Sequence, residues 1–235
     1  MRAALLLLLA LVAPIPAHAQ QAREDWSGLR QRMVQEQIVE RGIRDSATIA
    51  AMNQVPRHEF VPSQVRRLAY EDTPLPIGQD QTISQPYIVA LMTELVRPGP
   101  GQRVLEVGTG SGYQAAVLAA AGCRVWTIEI FAALADEART RLKRLGYGDV
   151  VVRHGDGYAG WKEEAPFDAV VVTAGADAVP PALIEQLAPR GRLAMPVGDP
   201  HTDQRLVLLE KDSLGRVSTR YLVPVRFVPL LRGVR

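Results

Sequence analysis

The chain predicts an α/β fold, a mainly parallel sheet with helices on both faces and an antiparallel hairpin at its end. Three observations carry this expectation. From residue 101 onward, short apolar strands alternate with helical stretches. Ala169-Val170-Val171-Val172 is continuously apolar, as a parallel strand covered on both faces should be. Near the C-terminus, Asp212-Ser213-Leu214-Gly215 separates two strand-like runs with a hairpin-type turn.

Taken in order, residues 25 to 42 read as a helix, with Met33, Ile38 and Ile43 near helical spacing and Gly42 as terminator. A second helix is expected from Ser46 to Asn53, with Asp45 or Ser46 as N-cap and Pro56 as its stop. Prolines at 56, 62, 74, 76 and 86 make residues 56 to 86 an ordered loop region. A third helix follows over Tyr87–Val96, and Pro98-Gly99-Pro100-Gly101 breaks the chain. Beyond it come a strand at Arg103–Val107, a helix at Tyr113–Ala121, a strand at Arg124–Ile130 and a helix at Ala132–Leu145. Strands at Val150–His154 and Phe167–Thr173, a helix at Pro181–Leu187 and a strand at Arg192–Val197 follow, then the hairpin strands Arg205–Lys211 and Val217–Phe227. The chain divides into residues 20–100, helices and a covering loop, and 101–235, the sheet; 20–235 is expected to form one compact domain.

Composition excludes several classes. A hydrophobic fraction of 47% with 22% charged residues is that of a globular domain, not a disordered chain. Aromatics at 6% weigh against a stacking platform for nucleic acid, and a net charge of +2 without like-charge blocks demands no polyanionic partner. Cys123 is the only cysteine, so no intramolecular disulfide can form, and it reads as a core residue. With four dispersed histidines a Cys/His zinc site is not expected. The first nineteen residues read as a secretory signal peptide: Met1-Arg2, an apolar run from Ala3 to Ala13, then Ala17-His18-Ala19 as a cleavage pattern. That run is shorter than the ~20 residues a membrane span needs. No cysteine stands at the cleavage site, so no lipid anchor is expected. A periplasmic or secreted protein follows.

The sharpest motif is Glu106-Val107-Gly108-Thr109-Gly110-Ser111-Gly112, a strand running through three alternating glycines into a helix. Glycines let the chain turn tightly and let a ligand approach the backbone. Glu129 closes the next strand, where a carboxylate can accept both hydroxyls of a ribose. A dinucleotide site is not excluded by the glycines, because Gly110, Gly112 and Ala115 fit the looser fingerprint; an ordinary strand–helix turn is a third reading. Glu106, two residues before the first glycine, favours a cationic, phosphate-free nucleoside such as S-adenosylmethionine. His154-Gly155-Asp156-Gly157 ends the third strand, which places Asp156 to accept from an adenine amino group or, alternatively, simply to make a turn. His154 reads as a structural histidine. Val172-Thr173-Ala174-Gly175-Ala176 lacks the Asn/Asp-Pro-Pro-aromatic tetrapeptide of many amide- and adenine-nitrogen methyltransferases, and it lacks a cysteine nucleophile.

Gln79-Asp80-Gln81-Thr82-Ile83-Ser84-Gln85-Pro86-Tyr87-Ile88-Val89-Ala90 resembles the signature segment of the protein-L-isoaspartate O-methyltransferase family. Arg103–Gly112, His154–Gly157 with Trp161, Phe167–Ala174, Met195-Pro196-Val197-Gly198 and Val225–Leu230 resemble that family in order and spacing, so the likeness covers residues 30 to 231. Asp80 stands where a glycine is expected. The resemblance implies a Rossmann-like class I methyltransferase sheet of seven strands, the last two in a family-specific order, beneath an N-terminal helical cap. It implies S-adenosylmethionine as donor, no metal, a cytoplasmic location at odds with the signal peptide, and isoaspartyl-containing proteins and peptides as acceptors.

The nucleophile would then be a carboxylate with an ordinary pKa of ~4, ionised near neutral pH, so no general base is required. Catalysis would come from orientation, which can supply ~7–11 kcal/mol. The resemblance makes Ser84 the residue that orients the acceptor, although helix capping is its bland alternative. It places Thr82 and Ile83 over the donor, Glu106, Gly108, Gly110, Gly112, Glu129, Asp156 and Gly157 around it, and Val197 and Gly198 against the substrate backbone. A small-molecule carboxylate O-methyltransferase and a non-catalytic binding protein are the alternatives. The chain is expected to act as a monomer.

Overall fold

The computed structural model describes residues 25–199 and 202–234. The expected signal peptide lies outside them.

Helix α1 (Trp26–Arg32) begins where the Asp25 carboxylate accepts the Gly28 N–H at 2.9 Å, and it continues as a π-helix over Met33–Val39. Helix α2 (Ser46–Gln54) is capped by Asp45, whose Oδ1 accepts both the N–H and the hydroxyl of Thr48 at 2.7 Å. The proline-rich stretch is not plain loop. It contains 3-10 turns at Arg57–Phe60 and Ser63–Leu68, then a two-stranded hairpin of β1 (Leu75–Gly78) and β2 (Gln81–Ile83). These strands are too short, and β1 too broken by Pro76, for alternation to reveal them. Gln79 and Asp80 at the hairpin tip both have positive φ, 52° and 55°, as a two-residue turn of this twist requires. Asp80 tolerates that conformation without being glycine, because a short polar side chain can enter the left-handed region.

Helix α3 (Pro86–Leu95) leads to the sheet: β3 (Arg103–Val107), α4 (Tyr113–Ala120), β4 (Arg124–Glu129), α5 (Ala132–Arg144), β5 (Val151–His154), β6 (Phe167–Val172), α6 (Pro181–Glu185), β7 (Leu187–Asp199), β8 (Asp203–Lys211) and β9 (Val217–Val225). The strand order is β5-β4-β3-β6-β7-β8-β9. Strands β3 to β7 are parallel, and β8 is antiparallel to both its neighbours. Strand β7 is longer than the sequence suggests. It starts at Leu187, and its register against β6 shifts between Phe167 and Ala169, an irregularity that hid its first half.

Both faces of the sheet are covered, which explains the unbroken apolar run of β6. Ala169 and Val171 join a core cluster with Met33, Ile38, Met52, Phe60, Met92 and Leu118 of the N-terminal helices and α4. Val170 and Val172 join the opposite cluster with Leu105, Ile128, Phe167, Leu183 and Met195. Among the described residues no helix is long and apolar enough to cross a membrane.

The Asp45 cap is a local test of this architecture. Asp45→Ala should lower stability by about 1 kcal/mol through loss of the α2 cap, as measured by urea unfolding.

Candidate active site

The site is built where the strands end. After Val107 the chain turns back through Gly108, whose φ of 95° places it in the left-handed region. A Cβ at 108 would stand 2.4 Å from the Thr173 hydroxyl at the end of β6, so both conformation and space require glycine. The Gly108 and Thr109 N–H groups donate to the Ile128 carbonyl at 2.9 and 3.2 Å, which ties the turn to β4.

Behind the turn lies Glu106, fully buried. Thr127 donates its hydroxyl to Glu106 Oε2 at 2.5 Å and also shares a 2.6 Å hydrogen bond with the Thr109 hydroxyl. Glu106 Oε1 has no hydrogen-bond partner among the described residues. Burial pushes the Glu106 carboxyl up to about 8; the Thr127 hydroxyl opposes this, the negative Glu129 adds to it, and the Ala115 amide opposes it weakly. Gln114 is similarly divided. Its Nε2 donates to Thr93 Oγ1 at 2.8 Å, while its buried Oε1 has no partner. Both residues line a cavity of about 30 Å³ closed by Thr82, Ile83 and Ser84. Two unpaired acceptor oxygens in one small cavity suit a cationic donor such as an ammonium group.

Glu129 is 4% exposed and is locked in place by backbone. Its Oε2 accepts the Gly110 N–H at 2.7 Å, and its Oε1 accepts the Ile130 and Phe131 N–H groups at 2.9 and 3.1 Å. It faces a narrow slot whose floor is Val107, Gly108 and Gly157 and whose cover is Gln81, Thr82 and the strap Val228–Leu231. The third compartment is an open cleft of about 470 Å³, lined by Thr82, Ser84, Thr173, Asp203, Gln204 and Phe227 among others. Thr82 and Thr173 line all three spaces, and Ser84 lines the cleft and the small cavity. The compartments therefore meet at hydroxyl groups. Ser84 does not cap α3, whose N-cap is Gln85 with no side-chain bond, and its hydroxyl makes no hydrogen bond among the described residues.

The proline-rich stretch that precedes the Thr82–Ser84 segment is held by a buried cation. Arg57 is fully buried and donates Nε to the Ala69 carbonyl at 2.8 Å, with its guanidinium 5.0 Å from the Tyr113 ring centroid. Burial pulls its pKa down to about 10, so it remains a cation at neutral pH.

The structure brings Thr82, Ile83, Ser84, Glu106, Gly108, Gly110, Glu129 and Gly157 together around these spaces. Gly112 instead caps α4 from beneath the turn, with Leu142 packed against it. Asp156 spends its carboxylate on backbone, accepting Tyr158 N–H at 2.9 Å and Gly233 N–H at 3.1 Å. Val197 and Gly198 sit one step back. Val197 packs against the second core cluster and Gly198 donates to the Ala176 carbonyl at 3.0 Å, while Asp199 reaches the cleft. Sequence reading missed Gln114, Thr173, Gln204 and the strap. Of these, Thr173 carried a signal, since it ends a parallel strand at the edge where ligands bind, and the strap carried one as part of the family-like segment Val225–Leu230, without a role attached.

A cavity that wants a cation, beside a carboxylate at the next strand end, on a doubly wound sheet, is the arrangement of the class I S-adenosylmethionine-dependent methyltransferases. Within that class, the chain belongs to the protein-L-isoaspartate(D-aspartate) O-methyltransferase family, whose model matches residues 29–235. A protein-L-isoaspartate O-methyltransferase of Opitutus terrae is 55% identical over 232 residues, covering 99% of each chain. Another from Gloeobacter violaceus is 56% identical over 200 residues, covering 85% of this chain and 97% of the relative. A solved protein-L-isoaspartate O-methyltransferase superposes with a TM-score of 0.78 at 31% identity, covering 85% of this chain and 65% of its own. A Plasmodium falciparum protein described by the same activity, in complex with S-adenosyl-L-homocysteine, gives 0.74 at 26% identity, covering 87% and 99%.

The buried Glu106 gives a signed pH prediction. Its carboxyl titrates near 8 when folded, against an ordinary 4.5. The folded state thus holds an extra proton between those values, so this contribution is fully present below 4.5 and is lost as pH rises through 8. Thermal unfolding should show stability declining from pH 5 to pH 9, and Glu106→Gln should flatten that decline by on the order of a few kcal/mol. An unchanged slope in the variant would contradict the assignment.

Proposed function

We propose that this chain repairs damaged proteins by moving a methyl group from S-adenosylmethionine to the α-carboxylate of L-isoaspartyl residues. The observation that carries this reading is the meeting of three spaces at Thr82 and Thr173, with Ser84 at the boundary of two of them, within a chain of this family. The donor supplies an electrophilic methyl group on a sulfonium, so neither an acid nor a base is needed to activate it.

This chain's residues bind and orient. Gln114 presents an acceptor oxygen for the donor's ammonium group, and the positive charge of that group favours the ionised form of Glu106, whose Oε1 then presents a second. Glu129 accepts from ribose hydroxyls through the lone pairs its backbone partners leave free, and Gly108, Gly110 and Gly157 let the nucleoside lie against backbone. Asp156 holds the turn that shapes the adenine end. The nucleoside lies in the slot between the glycine turn and the segments Gln81–Thr82 and Val228–Leu231. Thr82 and Ile83 cover the donor. Ser84 donates its hydroxyl to one oxygen of the acceptor carboxylate and leaves the other free to attack. Val197 and Gly198 shape the rim through Asp199. Carboxylate attack breaks the sulfur–methyl bond, releasing S-adenosylhomocysteine and leaving a methyl ester; a backbone amide nitrogen of the substrate then attacks the ester carbonyl, loses its proton and expels methanol to close a succinimide, part of which hydrolyses to normal aspartate.

The residues before 25, with their short basic start, apolar run and small-residue cleavage pattern, support export to the periplasm or beyond. Among the described residues no group of His, Cys, Asp and Glu is placed to hold a metal ion.

Labelled-methyl transfer to matched peptides tests the reaction. The peptide with L-isoaspartate should be labelled and its L-aspartate twin should not; donor binding without transfer to either would overturn the repair reading. Ser84→Ala should lose about ten- to hundredfold in kcat/KM, the worth of a hydrogen bond to a charged group, while S-adenosylhomocysteine affinity holds. Export predicts a native protein in the periplasmic or extracellular fraction whose N-terminal sequence begins at Gln20. A cytosolic protein beginning at Met1 would refute it.

A further inference from the structure

Strand β8 begins at the end of the sheet where the three spaces meet, and its second residue is Gln204. Gln204 is 3% exposed and lines the 470 Å³ cleft together with Ser84 and Thr173. Its carboxamide is divided. Oε1 accepts the Phe227 N–H at 2.7 Å, which settles which end of the amide is oxygen. Nε2 has no hydrogen-bond partner among the described residues. A buried donor left unpaired is costly, and native proteins keep few of them.

The fold makes room for this donor. A Cβ at Gly175 would stand 2.1 Å from Gln204 Nε2. Gly175 has no positive φ, so its backbone does not require glycine; the space beside the amide does. Gly175 is two residues beyond Thr173, on the same strand-end loop. An N–H group can serve only an acceptor, and in a cleft that takes an isoaspartyl peptide the available acceptors are carboxylate and carbonyl oxygens.

We propose that Gln204 is a second acceptor-binding residue, whose side-chain N–H donates to an oxygen of the bound isoaspartyl peptide from the β8 side of the cleft while Ser84 orients the carboxylate from the β2–α3 side. This inference rests on the repair reading. It assigns Gln204 two duties at the two ends of one amide: holding the segment after β9 through Oε1 and holding the substrate through Nε2.

Gln204→Glu keeps an oxygen for the Phe227 N–H, removes the donor and sets a carboxylate against the acceptor carboxylate, so the amide resonance of the wild-type chain separates loss of the donor from repulsion. With the full chain and S-adenosylmethionine, kcat/KM for an isoaspartyl peptide should fall about ten- to hundredfold, with the dissociation constant for S-adenosylhomocysteine unchanged. In the wild-type chain loaded with S-adenosylhomocysteine, the 15N side-chain amide resonance of Gln204 should shift on adding the isoaspartyl peptide and stay put with its aspartyl twin. The second measurement stands even if the variant folds poorly. A variant that keeps kcat/KM within twofold, or an amide resonance that does not respond to the isoaspartyl peptide, overturns the inference while the wild-type activity stands. A wild-type chain that does not methylate the peptide overturns the repair reading, and this inference with it.

Discussion

Everything in the site depends on how closely the ends of β3 and β6 approach. The Thr173 hydroxyl donates to the Gly108 carbonyl at 2.6 Å, and the Thr173 N–H donates to the Val107 carbonyl at 2.9 Å. No side chain fits at 108 under that contact, so the chain turns through backbone alone. A turn made of backbone leaves its face open to a ligand, and it brings Thr173 to the point shared by the small cavity, the slot and the cleft. Widening the gap to admit a side chain would separate the spaces that the reaction must join.

The chemistry explains the character of the residues at that point. A carboxylate attacking a sulfonium methyl needs no proton moved, and the junction carries hydroxyls where a hydrolase would carry a histidine. The carboxyl groups are held one layer back. Glu106 and Glu129 are buried behind the glycine turn, each bonded by hydroxyl or amide donors, apart from the hydroxyls at the junction. Orientation by fixed donors is then the main catalytic resource left to the protein.

Much of the fold was legible because it rests on long, periodic or continuously apolar segments. The βα alternation, the doubly covered β6 and the Asp45 cap all stand where composition and spacing put them. What escaped was short or irregular. The β1–β2 hairpin has strands of four and three residues, and the first half of β7 is hidden by a register shift. The site divides in the same way. Glycines and acidic residues at strand ends announce themselves, since few other roles call for them there. Gln114 and Gln204 do not. Glutamine is common on surfaces, and their significance comes from burial and from an unpaired atom, neither of which a linear sequence displays.

The strand order settles why β8 and β9 matter to a site that parallel strands alone would seem to build. Parallel strands offer their carboxyl ends to one edge of the sheet. An antiparallel strand added next to them offers its beginning to that edge, and the strand after it offers its end again. With β8 lying between β7 and β9, Gln204 at the start of one and Phe227 just past the end of the other arrive at the same place and hydrogen-bond there. The chain then continues across Gly175, with the Gly175 N–H donating to Val228 O at 2.8 Å and the Leu230 N–H to Gly175 O at 2.7 Å, and becomes the strap over the slot. One topological choice, β8 inside and β9 at the edge, thus supplies a wall of the open cleft and one side of the narrow slot, with the Gln204–Phe227 hydrogen bond between them.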